Sequence, residues 1–474
     1  MNRPPLEMAD IVRFAGQSFL QRSQRWINWQ HQKVLLAITR CRTAALGGHR
    51  DRCSDCGHTT DVSYNSCRNR HCPKCQGNAR QRWLQARERE LLPTPYVHIV
   101  FTLPREVASL ALQNKQVIYN LLFQASAETL LEIARDPRRF GAEIGFFSVL
   151  HTWNQRLQHH PHIHCVLAAG GLAPDHSHWI SSRPSFFLPV KVLGRVFRGK
   201  FFAGLKTAFR QGKLQFHGHL IPLVQPRAFA SWLRLLFRHD WVVYAKRPFG
   251  GPEHALRYLG NYTHRVAISN HRLVALTDHD VTFRWRDSAH GNKKRLMTLS
   301  LDEFLRRFLL HLLPRGFVRI RNFGFLANRQ RAQLLPLCFS LLRSSDSTSA
   351  AASPAADRDH SCWTCPVCGA TMYVLERLSA SSTPAPFSAI RPTRTMKAQF
   401  QPQALLVSAH AYCPCVSHRS NHFADRPAAG PRLLRIVLPA GPCRQDRPTQ
   451  LLRPGLEITR IGSDLSKSHR IGSR

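Results

Sequence analysis

Apolar residues recur at helical spacing near the start of the chain. Ile11, Phe14, Phe19, Leu20, Trp26 and Leu35 predict helix over 9–45, with Asp10 placed to cap it. The pattern then stops: residues 49–78 are dominated by Cys, His, Asn and Arg. A charged helix over 80–92 ends at Pro93, and alternating, β-branched residues predict a strand over 96–103. Helix is expected again over 105–135, followed by neighbouring strands over 144–153 and 162–168. Helices over 190–211 and 228–239 precede a short buried strand at 241–245. Gly250-Gly251-Pro252 interrupts the chain, and Pro252-Glu253 suits a helix start. Short strands over 266–269, 272–276 and 281–285 lead to an amphipathic helix over 301–313 that Pro314 ends. The Ser/Ala-rich stretch 344–354 reads as a linker. Beyond Arg377, residues rich in Pro, Ser, Arg and Ala show no sustained period, so a disordered basic tail is expected over 377–474.

Charge changes this picture more than composition does. The 474 residues include 67 Lys and Arg against 28 Asp and Glu, a formal net charge of +39. The basic residues spread along the whole length, as a long polyanion crossing several surfaces would require. No apolar run is long enough to span a bilayer, and residues 1–13 lack the pattern of a secretory signal. A cytoplasmic protein without a membrane partner is expected. The 14 cysteines then argue for metal before disulfides.

Two Cys-x-x-Cys pairs, Cys53/Cys56 and Cys72/Cys75, lie 15 residues apart, the spacing of a zinc ribbon. Four thiolates would bind Zn²⁺ tetrahedrally and supply folding energy that this apolar-poor segment lacks. Cys67 and His71 could replace a ligand or help hold a second ion. A third group, Cys362, Cys365 and Cys368, offers three thiolates in a tight loop, with His360 or Cys413 available as a fourth ligand. His49, Arg50, Arg52, Arg68, Asn69, Arg70 and Lys74 surround the first cysteines and favour phosphate contacts.

His162 and His164 alternate on a predicted strand, so both imidazoles face one side. Together they can hold one divalent ion, Mg²⁺ or Mn²⁺, and a third protein ligand is expected; Gln155, Gln158, Asn261 and His264 are candidates. Tyr258 and Tyr262 sit one helical turn apart. A phenol titrates near 10 and needs a neighbouring cation to become a nucleophile. Imidazole-bound metal beside such a phenol is an arrangement for cutting one DNA strand.

Five blocks extend these motifs: 67–76, 160–171, 241–246, 258–270 and 304–328. Over residues 10–370 they resemble the transposases of the insertion sequence 91 family, within the HUH nuclease group. The element Cys365-Pro366-Val367-Cys368-Gly369-Ala370-Thr371-Met372 also matches, and the residues beyond it depart from the family. The resemblance implies an α+β fold: an antiparallel sheet with flanking helices, the histidines on a central strand, preceded by a helical zinc-binding domain. It divides the chain into a zinc-ribbon DNA-binding domain (1–95), a catalytic domain with the tyrosine helix (96–342), a linker with a possible second zinc knuckle (343–376) and the tail. It implies rolling-circle transposition. His162 and His164 would bind the catalytic ion. Tyr258 and Tyr262 would be nucleophiles forming a 5′-phosphotyrosine with single-stranded DNA at the element's terminal sequences. No small-molecule substrate is expected. A plasmid replication initiator or relaxase would share this chemistry, and a non-catalytic zinc-finger DNA-binding protein would share only the cysteines.

Overall fold

The computed structural model describes residues 4–183, 187–251, 254, 260, 265–287, 290–345 and 364–381. Two helices come first, α1 (Met8–Arg22) and α2 (Trp29–Arg40), where the apolar period predicts one. The break has a local cause. Ser23 closes α1 through its N–H to the Phe19 carbonyl, and the Asn28 side chain accepts from the His31 N–H to start α2. Trp26, in the turn between them, packs edge-on against Phe19 with ring centroids 5.8 Å apart.

Next come β1 (Gly48–Cys53), β2 (Ser63–Tyr64), α3 (Cys75–Glu88), β3 (Tyr96–Thr102), α4 (Ala108–Gln113) and α5 (Lys115–Arg135). The expected single helix over 105–135 is split at Asn114. Its amide donates to the carbonyls of Leu110 and Gln215 and accepts from the Gln215 N–H, at 2.7–3.1 Å. A buried side chain serving two segments interrupts the helix that its neighbours favour.

The chain continues through β4 (Gly145–Trp153), β5 (His159–Ala168), β6 (Gly170–Leu172), β7 (Trp179–Ser181), α6 (Val190–Arg210), α7 (Pro226–Arg238) and β8 (Val243–Phe249). It then forms β9 (Leu273–Leu276), β10 (Asp280–Asp287), β11 (Lys293–Ser300), α8 (Leu301–Leu310), β12 (Ile320–Gly324), α9 (Asn328–Ser345) and β13 (Met372–Leu378).

The organising layer is a five-stranded sheet in the order β12-β4-β5-β3-β8, antiparallel throughout. The fold is α+β, and β5, which carries the histidines, is the central strand, as the resemblance implies. One sheet face presents Ile99, Phe101, Phe146, Ile163 and Leu167 to α5 and α6, forming the largest core. The other face divides by length. At one end Phe147, Val149 and Val166 pack against Leu335, Cys338 and Leu342 of α9. At the other end the side chains are histidines.

A second core joins parts of the chain that are distant in sequence. Phe19 and Leu35 from the first two helices pack with Phe283 of β10 and Phe304 and Phe308 of α8. The N-terminal helices are therefore built onto the β9–β11 sheet. A third sheet, ordered β13-β1-β2, pairs residues 48–53 with residues 372–378. Over the expected strand 266–269, Val266, Ala267 and Ile268 are buried but form no strand; Ile268 is in the second core. The linker 344–354 is described only through Ser345; Arg377 and Leu378, expected in the tail, belong to β13 paired with β1, and the tail from 382 onward lies outside the described residues.

Candidate functional site

Sheet register builds the site. His162 on β5 lies directly opposite His151 on β4, and His164 follows two positions along the same face. One ring nitrogen from each of the three lies within 4.8 Å of the others, a separation that one metal ion can bridge. His151 is the third ligand candidate that sequence reasoning missed. It is about ten residues upstream on a neighbouring strand, and only the register between two strands brings it opposite His162. Gln155 and Gln158, expected as alternatives, lie in the β4–β5 turn, where the Gln158 side-chain oxygen accepts from the Asn154 amide. Asn261 and His264 lie outside the described residues.

Hydrogen bonds set the rings. His162 Nδ1 donates to the His160 carbonyl at 2.8 Å, which leaves Nε2 as the lone-pair nitrogen. His164 Nδ1 pairs with Nε2 of His98, on β3, at 2.8 Å. The two rings stack with centroids 5.1 Å apart, so His98 fixes which His164 nitrogen is turned to the cluster. Burial pushes His162 down to about 4 and His98 down to about 3. Burial also holds His164 well below the ordinary histidine value, with His151, His162, His98 and Arg265 adding repulsion. Neutral imidazoles at neutral pH are the donors that a divalent cation needs. The residues fit a metal.

Tyr258 and Tyr262 lie outside the described residues. Their described neighbours are anchored on both sides. The carbonyl of Gly260 accepts from Arg80 on α3, and a side chain at Gly260 would press on Leu84. The carbonyl of Arg265 accepts from Arg319 at 2.8 Å. The Arg265 charge acts on both His162 and His164. A cation that close to the histidines follows Tyr262 by three residues.

The cysteines group differently from the expected ribbon. Cys53 and Cys56 join Cys365 and Cys368, while Cys72 and Cys75 join Cys41 and Cys67, each set with sulfurs within 4.8 Å of one another. The single ribbon of Cys53, Cys56, Cys72 and Cys75 is thus replaced by two four-sulfur clusters. The reason is the β1–β13 pairing, which carries Cys365 and Cys368 to the first Cys-x-x-Cys pair. In that cluster the Cys53–Cys368 and Cys56–Cys365 sulfurs stand 3.4 and 3.6 Å apart. The N–H groups of Asp55 and Val367 donate to Cys53 and Cys365, as in a metal-binding knuckle. In the other cluster, Cys41 and Cys67 each stand 3.5 Å from Cys75. Cys67 is a member of the second set. His71 is not; it is half-buried beside a small cavity with Arg70, His311 and Arg319, its Nε2 without a hydrogen-bond partner among the described residues. Cys362, His360 and Cys413 lie outside the described residues.

No helix among the described residues is long and apolar enough to cross a membrane.

A family described as "Transposase zinc-binding domain" matches residues 11–103, and one described as "Putative transposase" matches residues 145–333. The chain is 54% identical over 343 residues to "Putative transposase y4qJ" of Sinorhizobium fredii, covering 72% of this chain and 85% of that protein. It is 29% identical over 309 residues to the transposase for insertion sequence element IS801 of Pseudomonas savastanoi pv. phaseolicola, covering 64% and 72%. A solved structure of TrwC complexed with a 27-mer DNA is similar over 54% of this chain and 94% of that one. Its 14% identity and TM-score of 0.19 are too loose to carry an argument.

Proposed function

The chain belongs to the insertion sequence 91 family of transposases, and on that premise we propose that it moves its element as single-stranded DNA by rolling-circle strand transfer. The observation that carries the reading is the triad His151, His162 and His164, with the Arg265 charge beside it and the tyrosine segment just upstream. His151, His162 and His164 would hold Mg²⁺ or Mn²⁺, which when bound withdraws charge from a scissile phosphate.

In this reading the phenol oxygen of Tyr258 or Tyr262 attacks phosphorus. A P–O bond to tyrosine forms and the P–O bond to the 3′ oxygen breaks. The phenol proton is released and the departing oxygen ends as a 3′-hydroxyl, so one phosphodiester replaces another and no ATP is consumed. The second tyrosine attacks the other end of the element while the first stays occupied. Arg265 lowers the cost of the phenolate and of the phosphate's charge. The two four-cysteine clusters would hold structural Zn²⁺, and the basic surface around them would dock the element's terminal sequences. The reaction belongs in the cytoplasm, where the DNA is.

The test is a single-stranded oligonucleotide of the element's end, incubated with protein and Mn²⁺ and run under denaturing conditions. A covalent adduct is expected, absent after Tyr258→Phe with Tyr262→Phe. His164→Ala should abolish cleavage and keep most DNA binding, because phosphate contacts elsewhere dominate affinity. An adduct undiminished by the double tyrosine change would overturn the assignment, and wild-type cleavage in His164→Ala would remove the metal from the reaction.

A further inference from the structure

The histidine face does not end at the histidines. Sheet register continues it across β3 to the edge strand β8. His164 lies opposite Val100, and Val100 lies opposite Tyr244. In the next row His98 lies opposite Lys246. Directly paired residues share a face, so Tyr244 and Lys246 stand on the histidine side of the sheet.

Their exposure alternates with burial. Val243 is 8% exposed and packs in the largest core, while Val242 and Tyr244 are 66% and 55% exposed. Lys246 is exposed as well. A half-exposed tyrosine on the edge strand of the described sheet gives up much of the stabilisation that its ring could gain by burial. Strands lie about 4.8 Å apart, so Tyr244, two strands away, is about 10 Å from His164. That places its ring beside the site of chemistry, not in it. The side chains of Val242, Tyr244 and Lys246 on this face carry no negative charge.

We propose that Tyr244 and Lys246 form a platform for the single strand next to the scissile phosphate, Tyr244 stacking on an unpaired base and Lys246 contacting the backbone. This rests on the strand-transfer reading and names a binding surface for it. The chemistry selects a single strand over a duplex. An unpaired base has a free face to stack on an aromatic ring, whereas a paired base is already stacked on its neighbours. The cation and the continuity with the metal-binding face select nucleic acid over an apolar partner.

Binding of a fluorescein-labelled oligothymidylate to the full chain tests this by anisotropy. Tyr244→Ala should weaken binding by about 5- to 150-fold, the range for loss of one stacked base, while Tyr244→Phe and Tyr244→Trp stay within about threefold of wild type. Lys246→Gln should reduce the slope of affinity against salt by about 0.7. Photocrosslinking of wild-type protein to an iodouracil-substituted strand should map to the peptide bearing Tyr244, which keeps the test valid if the alanine variant misfolds. If wild type binds and forms adduct, but the Tyr244 and Lys246 variants bind equally well and no crosslink maps to β8, the platform is wrong and strand transfer stands. If wild type neither binds the strand nor forms adduct, both fall. Self-association of the chain without DNA, lost in Tyr244→Ala, would assign this edge to a second copy and overturn the platform.

Discussion

Serine at both Cys365 and Cys368 removes two of the four sulfurs that tie residues 53–56 to the segment bearing β13. The tie closes a long loop, since Cys56 and Cys365 are 309 positions apart. A chain-entropy estimate for a cross-link closing a loop of that length is roughly 5.7 kcal/mol at 25 °C. This is an upper figure, because the β1–β13 ladder still favours closure without metal and the unfolded chain is not a random coil. Two measurements read the effect. Elemental analysis of purified protein should find two zinc ions per chain in wild type and one in the double variant, with the set Cys41, Cys67, Cys72 and Cys75 still loaded. The urea midpoint should fall, and a protease site introduced between 346 and 363 should release the C-terminal fragment from the variant but not from zinc-loaded wild type. Two retained zinc ions with an unchanged midpoint would refute the pairing and return Cys53 and Cys56 to the ribbon expected from spacing.

Three outcomes concern the histidines. His151→Ala should cost the full chain most of its Mn²⁺ affinity by calorimetry, whereas Gln155→Ala should leave it unchanged; the reverse would make Gln155 the third ligand. His98→Leu should weaken Mn²⁺ binding by about 10- to 100-fold by freeing the His164 ring, and His98→Asn should recover part of it; unchanged affinity in His98→Leu would show that the 2.8 Å contact does not orient the ligand. The metal-free protein should lose stability as pH falls below about 6.5, where unfolded histidines take up protons. Folded His162 resists protonation down to about 4 and His98 down to about 3, so the unfolded chain binds more protons in that window. Each contributes a slope of up to about 1.4 kcal/mol per pH unit, absent above pH 7. A urea midpoint level from pH 7 to 4.5 would mean that these rings are hydrated.

The elements most legible in the sequence were those with strong periodicity and a local stop. The helix at Val190–Arg210 and the strand at Tyr96–Thr102 fall within a residue of their expected limits. Strand β11, with Lys293, Lys294 and Arg295 exposed, was invisible because none of its residues is buried and alternation is weak. Strand β12 was missed for the same reason, since all its residues are only partly buried. For the site, His162 and His164 could be read because two neighbours on one strand share a face. The nearness of His151 and His98 to them could not, because it comes from register between strands. The cysteines show the same limit. Each Cys-x-x-Cys pair is local and was legible, but which pairs come together depends on β1 meeting β13 across more than 300 residues. Cys41 carried no motif; its place beside Cys67, Cys72 and Cys75 comes from how α2 packs.

The proposed strand transfer would set Tyr258 and Tyr262 next to a metal held by His151, His162 and His164. Protein carrying 3-fluorotyrosine at its 8 tyrosines gives fluorine signals that Tyr258→Phe and Tyr262→Phe assign. Addition of one equivalent of Mn²⁺ should broaden those two signals most strongly and leave that of Tyr64, on the β1–β2 sheet, sharp. His151→Ala with His164→Ala should abolish the broadening. Sharp Tyr258 and Tyr262 signals with Mn²⁺ bound at the histidines would contradict the proposed mechanism.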